Sequence, residues 1–377
     1  MLKNFSTQNL RSVFEEEGKY DGFRSVASSL VRGQSVFELD DNGNERRVSN
    51  ADANKAIRKV FMEICGLTEE DLKSRKKRER AERLHGVEIY EIIEEDIDFK
   101  INEGFQQSEF FNSFVDYKSH ALGDANAFYI EDKQYLIVGN VSGDHHDVTI
   151  QQLGGGEEIS VKCTSHAIKI GKDIDLIILG RYDYAKMVQK VADAFIADTQ
   201  NLIYTQFYAA SNKLPAGSGL VMTGALSAQT KANFDKLIEN VQIANGGDVI
   251  IVGSKVALKN LTAITDVDWA TDEQKDSVMK TGRLGYYEGV RLMEVPQRLK
   301  VGGSLANDAD RLIPNDTMLI IPVNDDRFVK FFDEGETEIF EVTEKAALKD
   351  DFQTYEVHRT YGADVVLGQY FGRWNKQ

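Results

Sequence analysis

The chain has 377 residues, which is enough for two or three domains or for one elaborated domain. Its 61 acidic residues outnumber its 45 basic residues and give a formal net charge of −16. Because nucleic-acid phosphates are bound by Lys and Arg, this balance argues against a protein that grips nucleic acid over its surface. The two cysteines, Cys65 and Cys163, lack the spacing of a zinc site, and we expect both to be reduced thiols.

Hydrophobic residues make up 42% of the chain, an ordinary globular composition that argues against wholesale disorder. The sequence opens on no apolar signal-peptide core, and no stretch approaches the ~20 apolar residues of a membrane helix. We therefore expect a soluble protein that is made in the cytoplasm and has no membrane partner.

The first hundred residues are highly charged, and their patterns predict helices. One helix is expected to begin at Asn50 or Asp52 and to run to Cys65, because Gly66 follows as a stop signal. Its apolar residues recur at spacings of three and four and so share one face; they are Ile57, Val60, Phe61 and Ile64.

A second helix is expected after Thr68 and Asp71, which resemble a weak capping box, and its predicted end is Gly86. It contains a run of basic residues at 73–80. We favour a solvent-exposed helix face with acidic neighbours. A nucleic-acid patch and a docking site for the acidic surface of a second copy remain the alternatives.

Aromatic residues are dense between 105 and 117, and such density is typical of packing anchors or interfaces. Beyond them, 128–130 and 135–138 are predicted as short strands. Alternating apolar residues on either side of the Gly-rich segment 153–157 predict a hairpin that projects from the body; they are Val148, Ile150, Ile159, Val161 and Cys163.

The strongest helix signal runs from Asp183, a candidate N-cap, to about Tyr208. At 1.5 Å per residue this helix would span about 38 Å.

An α/β block follows. Ser227 is expected to cap a helix that runs to about Ile243 and closes at the glycine pair 246–247. The continuous apolar run 248–253 predicts a buried strand, and Ser254 starts another helix. Later strands are predicted at 289–294 and 317–323, and alternation over 355–361 predicts a long strand with two distinct faces.

Motifs that carry chemistry are missing from the sequence. There is no phosphate-binding loop, no GxGxxG turn, no nucleophile elbow and no HExxH pair. The glycines 246–247 end a helix, whereas a phosphate would bind at a helix N-terminus. The pair His145–His146 is expected to make polar loop contacts and not to chelate a metal, because adjacent residues of an extended strand point to opposite faces. We expect no enzymatic activity, no cofactor and no metal.

The order of these segments resembles the major capsid protein family of tailed bacteriophages, whose Hong Kong phage fold is shared with encapsulins. The resemblance extends from about Phe105 to the C-terminus and is an ordered set of similarities in which no single motif is strongly specific. The segments that carry it are 121–129, 144–161, 183–208, 244–254, 281–290 and 355–366.

The resemblance implies an α+β phage major capsid fold with an N-terminal arm, an extended hairpin loop, a peripheral domain with a long spine helix, and an axial α/β domain. The implied division is a helical N-terminal arm or extension at 1–115, the extended loop at 116–175, the peripheral domain at 176–226, the axial domain at 227–330, and peripheral-domain strands with the C-terminus at 331–377. The candidate contact residues between subunits are Phe110, Phe111, Phe114, Tyr117, His145, His146, Gln151, Gln152, Glu157 and Arg283.

The resemblance also implies a function. The chain would self-assemble, as hexamers and pentamers, into the icosahedral shell of a virion assembled in the host bacterial cytoplasm. Its implied partners are portal, scaffold and possible decoration proteins, and packaged double-stranded DNA without sequence specificity. One alternative is an encapsulin-like shell around a protein cargo. Another is an α/β enzyme, which is disfavoured because the glycines at 246–247 lie at the wrong end of their helix.

Overall fold

The computed structural model describes residues 6–15, 19–39, 45–106, 109–121, 127–130, 136, 138, 150–152, 155–171, 178–211, 219–265, 284–300, 303–323, 327, 329–342, 354–365 and 370–376. The chain divides into two compact units. Unit 1 comprises Met1–Ser108, Thr164–Asp198 and Glu334–Tyr361, and unit 2 comprises Glu109–Cys163, Thr199–Asp333 and Gly362–Gln377. The finer five-part division stays a prediction.

Helices and strands alternate unevenly along the described chain. The helices are α1 (Gln8–Val13), α2 (Lys19–Arg32), α3 (Asn50–Ile64), α4 (Arg75–Gln106), α5 (Glu109–Phe114), α6 (Tyr184–Ser211), α7 (Lys231–Asn245) and α8 (Lys255–Lys259). The strands are β1 (Val36–Leu39), β2 (Glu45–Val48), β3 (Val115–His120), β4 (Ala127–Ile130), β5 (Glu157–Ser160), β6 (Thr164–Gly171), β7 (Val221–Thr223), β8 (Val249–Gly253), β9 (Tyr286–Tyr287), β10 (Val290–Glu294), β11 (Thr317–Pro322), β12 (Val329–Val342), β13 (Thr354–Val365) and β14 (Gly372–Asn375).

Helix α3 lies where its periodicity predicts, but its N-cap is Ser49 and neither Asn50 nor Asp52. The Ser49 side chain accepts a hydrogen bond from the Asp52 N–H at 3.2 Å, which satisfies a backbone donor at the helix start. Gly66 has a φ of 61°, the left-handed conformation that ends a helix. A β1–β2 hairpin just before this helix was not predicted.

Helix α4 corrects the prediction of a helix end at Gly86, because it continues through that glycine to Gln106. Beyond Gly86 a buried apolar stripe recurs every four residues, at Ile89, Ile93, Ile97 and Ile101. A glycine inside a helix costs about 1 kcal/mol, and burial of this stripe outweighs that cost.

Unit 1 gathers the N-terminal helices around α4 and the first half of α6. A line of ring contacts, with centroids 5.2–6.2 Å apart, runs through Phe14, Tyr20, Phe23, Phe61 and Tyr184. Strand β13 pairs antiparallel with β6, with Tyr361 opposite Thr164 and Thr354 opposite Gly171. Residues 355, 357, 359 and 361 are buried while their neighbours are half-buried, which confirms the predicted two-faced strand.

Unit 2 is built on a six-stranded sheet in the order β7-β14-β11-β8-β10-β9. Strand β8 is buried at every position and lies between the antiparallel β11 and the parallel β10, as its continuous apolar run predicts. Gly246 ends α7 in the left-handed conformation with a φ of 66°. The Ser254 hydroxyl caps α8 by accepting from the Ala257 N–H at 3.2 Å.

A four-stranded sheet has the order β3-β12-β13-β6, and a separate ribbon pairs β4 with β5. In this β4–β5 ribbon Ala127 lies opposite Ser160 and Ile130 opposite Glu157. The predicted hairpin instead paired residues around Val148 with those around Ile159. In the structure β5 pairs with β4, which lies some twenty residues before Val148, and this pairing was not predicted. Val148 itself, and Tyr135 of the predicted 135–138 strand, lie outside the described residues.

Candidate assembly surfaces

The aromatic cluster predicted as an intersubunit anchor has contacts within its own chain. Phe111 and Phe114 are buried, and Phe111 lies 6.2 Å from Phe331, centroid to centroid. Tyr117 stacks on Phe331 at 5.8 Å and donates a hydrogen bond from its hydroxyl to Asp333 at 3.0 Å. These contacts order the start of β3 within unit 2 and leave mainly the half-buried Tyr117 available to a neighbour. A role between subunits stays a prediction for this cluster.

Of the other predicted contact residues, Gln151 and Gln152 are exposed. Phe110 belongs to α5 and Glu157 to β5, but their side chains lie outside the described part of the chain. His145, His146 and Arg283 also lie outside it. Among the members of the predicted set whose side chains are described, Phe111 and Tyr117 are in ring contact, with centroids 6.2 Å apart.

The segment between β4 and β5 exposes apolar side chains that were not predicted as contacts. Val138 is 94% exposed and Ile150 91% exposed, Leu136 is also exposed, and so is Tyr129 on β4 itself. Large exposed apolar side chains are candidates for contacts with another protein surface. The signal in the sequence was the presence of these residues in an otherwise polar, Gly-rich segment.

The basic run on α4 is exposed, as expected for a solvent-facing helix surface. Lys73, Lys76 and Arg80 face water, and Lys77 forms an ion pair with Asp71. The hydrogen bonds that the Lys77 ammonium and Thr68 donate to Asp71 hold the pKa of that carboxyl well below its usual range. Thr68 donates to the Asp71 carboxylate from both its N–H and its hydroxyl. The two residues that resemble a weak capping box in the sequence are therefore hydrogen-bonded to each other in the structure.

Carboxylates on the buried side of α4 tie this helix to other parts of unit 1. The Tyr184 hydroxyl donates to Asp96 at 2.6 Å, and the Ile339 N–H donates to Glu94 at 2.6 Å. Burial raises the pKa of Asp96 to about 6, against the lowering effect of the Tyr184 bond and the Arg24 charge. Burial also raises the pKa of Glu94 to about 7.

A further carboxylate, Asp98, forms the centre of a charged cluster. It pairs with Arg359, which is only 5% exposed, and accepts from the Thr337 N–H at 3.2 Å and from the Thr337 hydroxyl. No spacing in the sequence could have found these pairs, because 239 to 261 residues separate the partners.

Within the described residues no group of three or more His, Cys, Asp or Glu side chains could hold a metal ion. Each of the two units combines α-helices with β-strands, and large apolar side chains are exposed on β4 and in the segment that follows it. Exposed apolar side chains are typical of proteins that bind other protein surfaces.

The sequence matches the family described as "SPbeta prophage-derived putative capsid protein YonB" over residues 29–375. The chain belongs to this family. The match confirms the expected phage capsid assignment, and the protein is a structural capsid protein. A search of curated protein sequences finds no match.

Among solved structures, the chain is similar to the capsid of a native GTA particle, at 11% identity and a TM-score of 0.47 over 70% of this chain and 89% of that chain. It is similar to the mature capsid protein of bacteriophage PhiM1, at 13% identity and a TM-score of 0.43 over 72% and 87% of the two chains. A similarity to the SrpI encapsulin complex from Synechococcus elongatus PCC 7942 has 11% identity and a TM-score of 0.39 over 69% and 84%.

Proposed function

We propose that this protein is the repeating subunit of a closed icosahedral shell, arranged as hexamers and pentamers around packaged double-stranded DNA. The observation that carries the proposal is the capsid-family match, which spans residues 29–375 and so includes almost the whole of both units. Self-association then accounts for the exposed apolar side chains between β4 and β5, since closed symmetry repeats one interface over the entire shell.

The β4–β5 ribbon, together with Val138 and Ile150 from the segment between its strands, is the proposed principal contact between copies. Permanent interfaces commonly bury about 2,000 Å² or more, and the exposed Val138 and Ile150 supply apolar surface for one. Gln151, Gln152 and the half-buried Tyr117 are proposed to contribute to the same contact. The other proposed contact residues are Phe110, Phe111, Phe114, His145, His146, Glu157 and Arg283.

The N-terminal helices are proposed to act as a fixed part of the subunit. The aromatic line from Phe14 to Tyr184 and the Tyr184–Asp96 hydrogen bond support this, because they attach α1–α4 to α6 within unit 1. A loosely tethered arm would not have buried aromatic anchors of this kind.

Portal, scaffold and decoration proteins are proposed as partners, with assembly in the host bacterial cytoplasm and DNA held without sequence specificity. The net charge of −16 supports the last point, because an acidic chain does not bind phosphates tightly. No helix among the described residues is both long and apolar enough to span a membrane.

The test is to express the full chain, fractionate it by size and view the fractions by negative-stain electron microscopy. We expect closed shells tens of nanometres across, empty or DNA-filled. Shells that carry a specific protein cargo would instead favour the encapsulin-like alternative. If the chain forms no shell alone, co-expression with the genes that flank its own is the second arm, and a monomer in both arms would contradict the proposal.

A further inference from the structure

A cavity of about 420 Å³ lies in unit 1 between helix α3 and the residues that lead into α6. Asn54, Lys55 and Arg58 line it from α3, and Arg181 and Asp183 line it from the α6 side. The N-terminus of α6, a helix of 28 residues, begins at its edge with Tyr184. The cavity therefore combines three cationic side chains with one carboxylate and the positive end of a long helix.

Arg58 is held in place on the cavity wall. Its Nε donates to the carbonyl of Ile178 at 2.6 Å, and it is half-buried. Gly180 has a φ of 68°, and a Cβ at that position would lie 3.4 Å from Arg58 Nη1. The close turn thus fixes the guanidinium, whose Nη groups make no hydrogen bond to other described residues.

The second cation, Arg181, is exposed at the cavity and forms no ion pair with any described residue. Lys55 differs, because its ammonium already pairs with Asp52 at 3.1 Å and it lies at the rim. Two guanidinium groups are therefore available to an anion that enters the cavity, and guanidinium is the cation best matched to a carboxylate or phosphate.

Asn54 favours an occupant of the cavity that carries a hydrogen-bond donor. Its Oδ1 atom is buried and has no hydrogen-bond partner in the described part of the chain. A buried acceptor without a partner is unfavourable, and an N–H or O–H donor from an incoming group would relieve it. The best occupant therefore carries both a negative charge and a hydrogen-bond donor.

We propose that this α3–α6 cavity binds an acidic peptide segment from a second copy of this chain. A carboxylate would bind Arg58 and Arg181 while a backbone N–H donates to Asn54 Oδ1. A DNA phosphodiester offers charge without a donor and fits less well. The inference rests on the proposed function, in which the shell brings copies together, and on the strongly acidic composition of each copy, with a net charge of −16.

The test measures the protein concentration at which half of the full-length chain is assembled, by light scattering and electron microscopy. We expect R181Q to raise this concentration about fivefold and R58Q about tenfold, because each variant removes one charge-assisted contact. The matched control is K59Q, which makes the same kind of change on an exposed residue of α3 outside the cavity, and it is expected to change the concentration less than twofold.

R58Q also removes the hydrogen bond from Arg58 to the Ile178 carbonyl, so it could disturb the local fold as well as the cavity. R181Q separates the two effects, because the Arg181 side chain forms no ion pair with a described residue. Assembly of R181Q and K59Q at the same concentration as the parent chain would overturn the inference while leaving the shell function intact. A parent chain that assembles neither alone nor with the products of the flanking genes would contradict the proposed function instead, and a parent chain that assembles only with them is compared with the variants in that co-expressed form. Loss of duplex-DNA binding in R181Q, measured by fluorescence anisotropy without an assembly defect, would also overturn the inference and would assign the cavity to nucleic acid.

Discussion

In unit 2 the six-stranded sheet and α7 enclose a core of apolar side chains, whereas in unit 1 carboxylates of α4, including the buried Asp96, add polar contacts to an apolar core. The unit 2 core includes Phe234, Val249, Ile320 and Trp374, all at most 5% exposed. In unit 1, Asp96 and Asp98 bind Tyr184, Arg359 and Thr337. An apolar core is insensitive to pH, but buried carboxylates link the stability of unit 1 to proton binding.

The largest effect is expected from W374A in unit 2. Trp374 is 1% exposed, packs edge-on against Phe234 at 5.3 Å, and donates from its ring nitrogen to the Gly224 carbonyl at 3.1 Å. Truncation of such a residue costs about 4 kcal/mol of unfolding free energy. Urea unfolding followed by circular dichroism checks this. The control is Y370A, since Tyr370 has an exposed side chain, and equal effects of the two variants would contradict the assigned core.

The next effect is expected in unit 1 from D98A. Removing the carboxylate leaves the buried Arg359 without this partner and removes the acceptor of both Thr337 bonds. Arg359 keeps its hydrogen bond to the Thr337 hydroxyl at 3.2 Å, so the loss is that of the charge-assisted bonds to Asp98, about 2–3 kcal/mol. The control is D98N, which keeps acceptor capacity for Thr337 and should cost less. If D98A and D98N unfold at the same urea concentration, the hydrogen bonds contribute nothing beyond the charge.

A third prediction concerns pH. Replacing the Asp96 carboxylate is expected to stabilise the chain at high pH, whereas W374A and D98A destabilise it. The pKa of Asp96 rises from its ordinary value of 3.8 to about 6 in the folded chain, chiefly through burial. The folded state therefore holds this proton more tightly, so the stabilisation is complete below about pH 4 and is lost as the pH rises through 6. D96N can still accept from Tyr184 and should stabilise unit 1 by about 2 kcal/mol at pH 8.

At pH 4 the same D96N variant should be no more stable than the parent chain. Thermal unfolding at pH 4 and pH 8 measures the difference. A gain of equal size at both pH values would show that proton binding at Asp96 does not govern the effect. Glu94, whose pKa of about 7 is also raised by burial, should leave a residual dependence of the same sign in D96N.

The contrast between the units also explains what the sequence could predict. The apolar runs and periodicities of α6 and β8 are local patterns, and these elements lie where predicted. Helix α7 overlaps its prediction but begins at Lys231 after the N-cap Thr230, and not at Ser227. The polar pairs that Asp96 and Asp98 form in unit 1 join residues more than 80 positions apart, so no local pattern indicates them. The β4–β5 register was missed for the same reason, since several apolar segments offered comparable partners for β5.

Gly86 gives the prediction with the smallest expected effect. The glycine alone predicts a helix end at this position, whereas the packing of α4 favours a helix that continues through it. As a helix end, Gly86 would need a left-handed conformation that alanine adopts poorly. In the structure it lies inside α4, and an added Cβ would be in ordinary contact with Tyr90 at 3.4 Å.

We therefore expect G86A to stabilise the chain by about 0.5–1 kcal/mol. The matched control is G66A, at a φ of 61°, which should destabilise by about 1 kcal/mol. Urea unfolding of both variants measures the change in unfolding free energy at a glycine that ends a helix and at one inside a helix. Destabilisation by G86A would contradict the continuous helix α4 and favour the helix end that the sequence alone predicts.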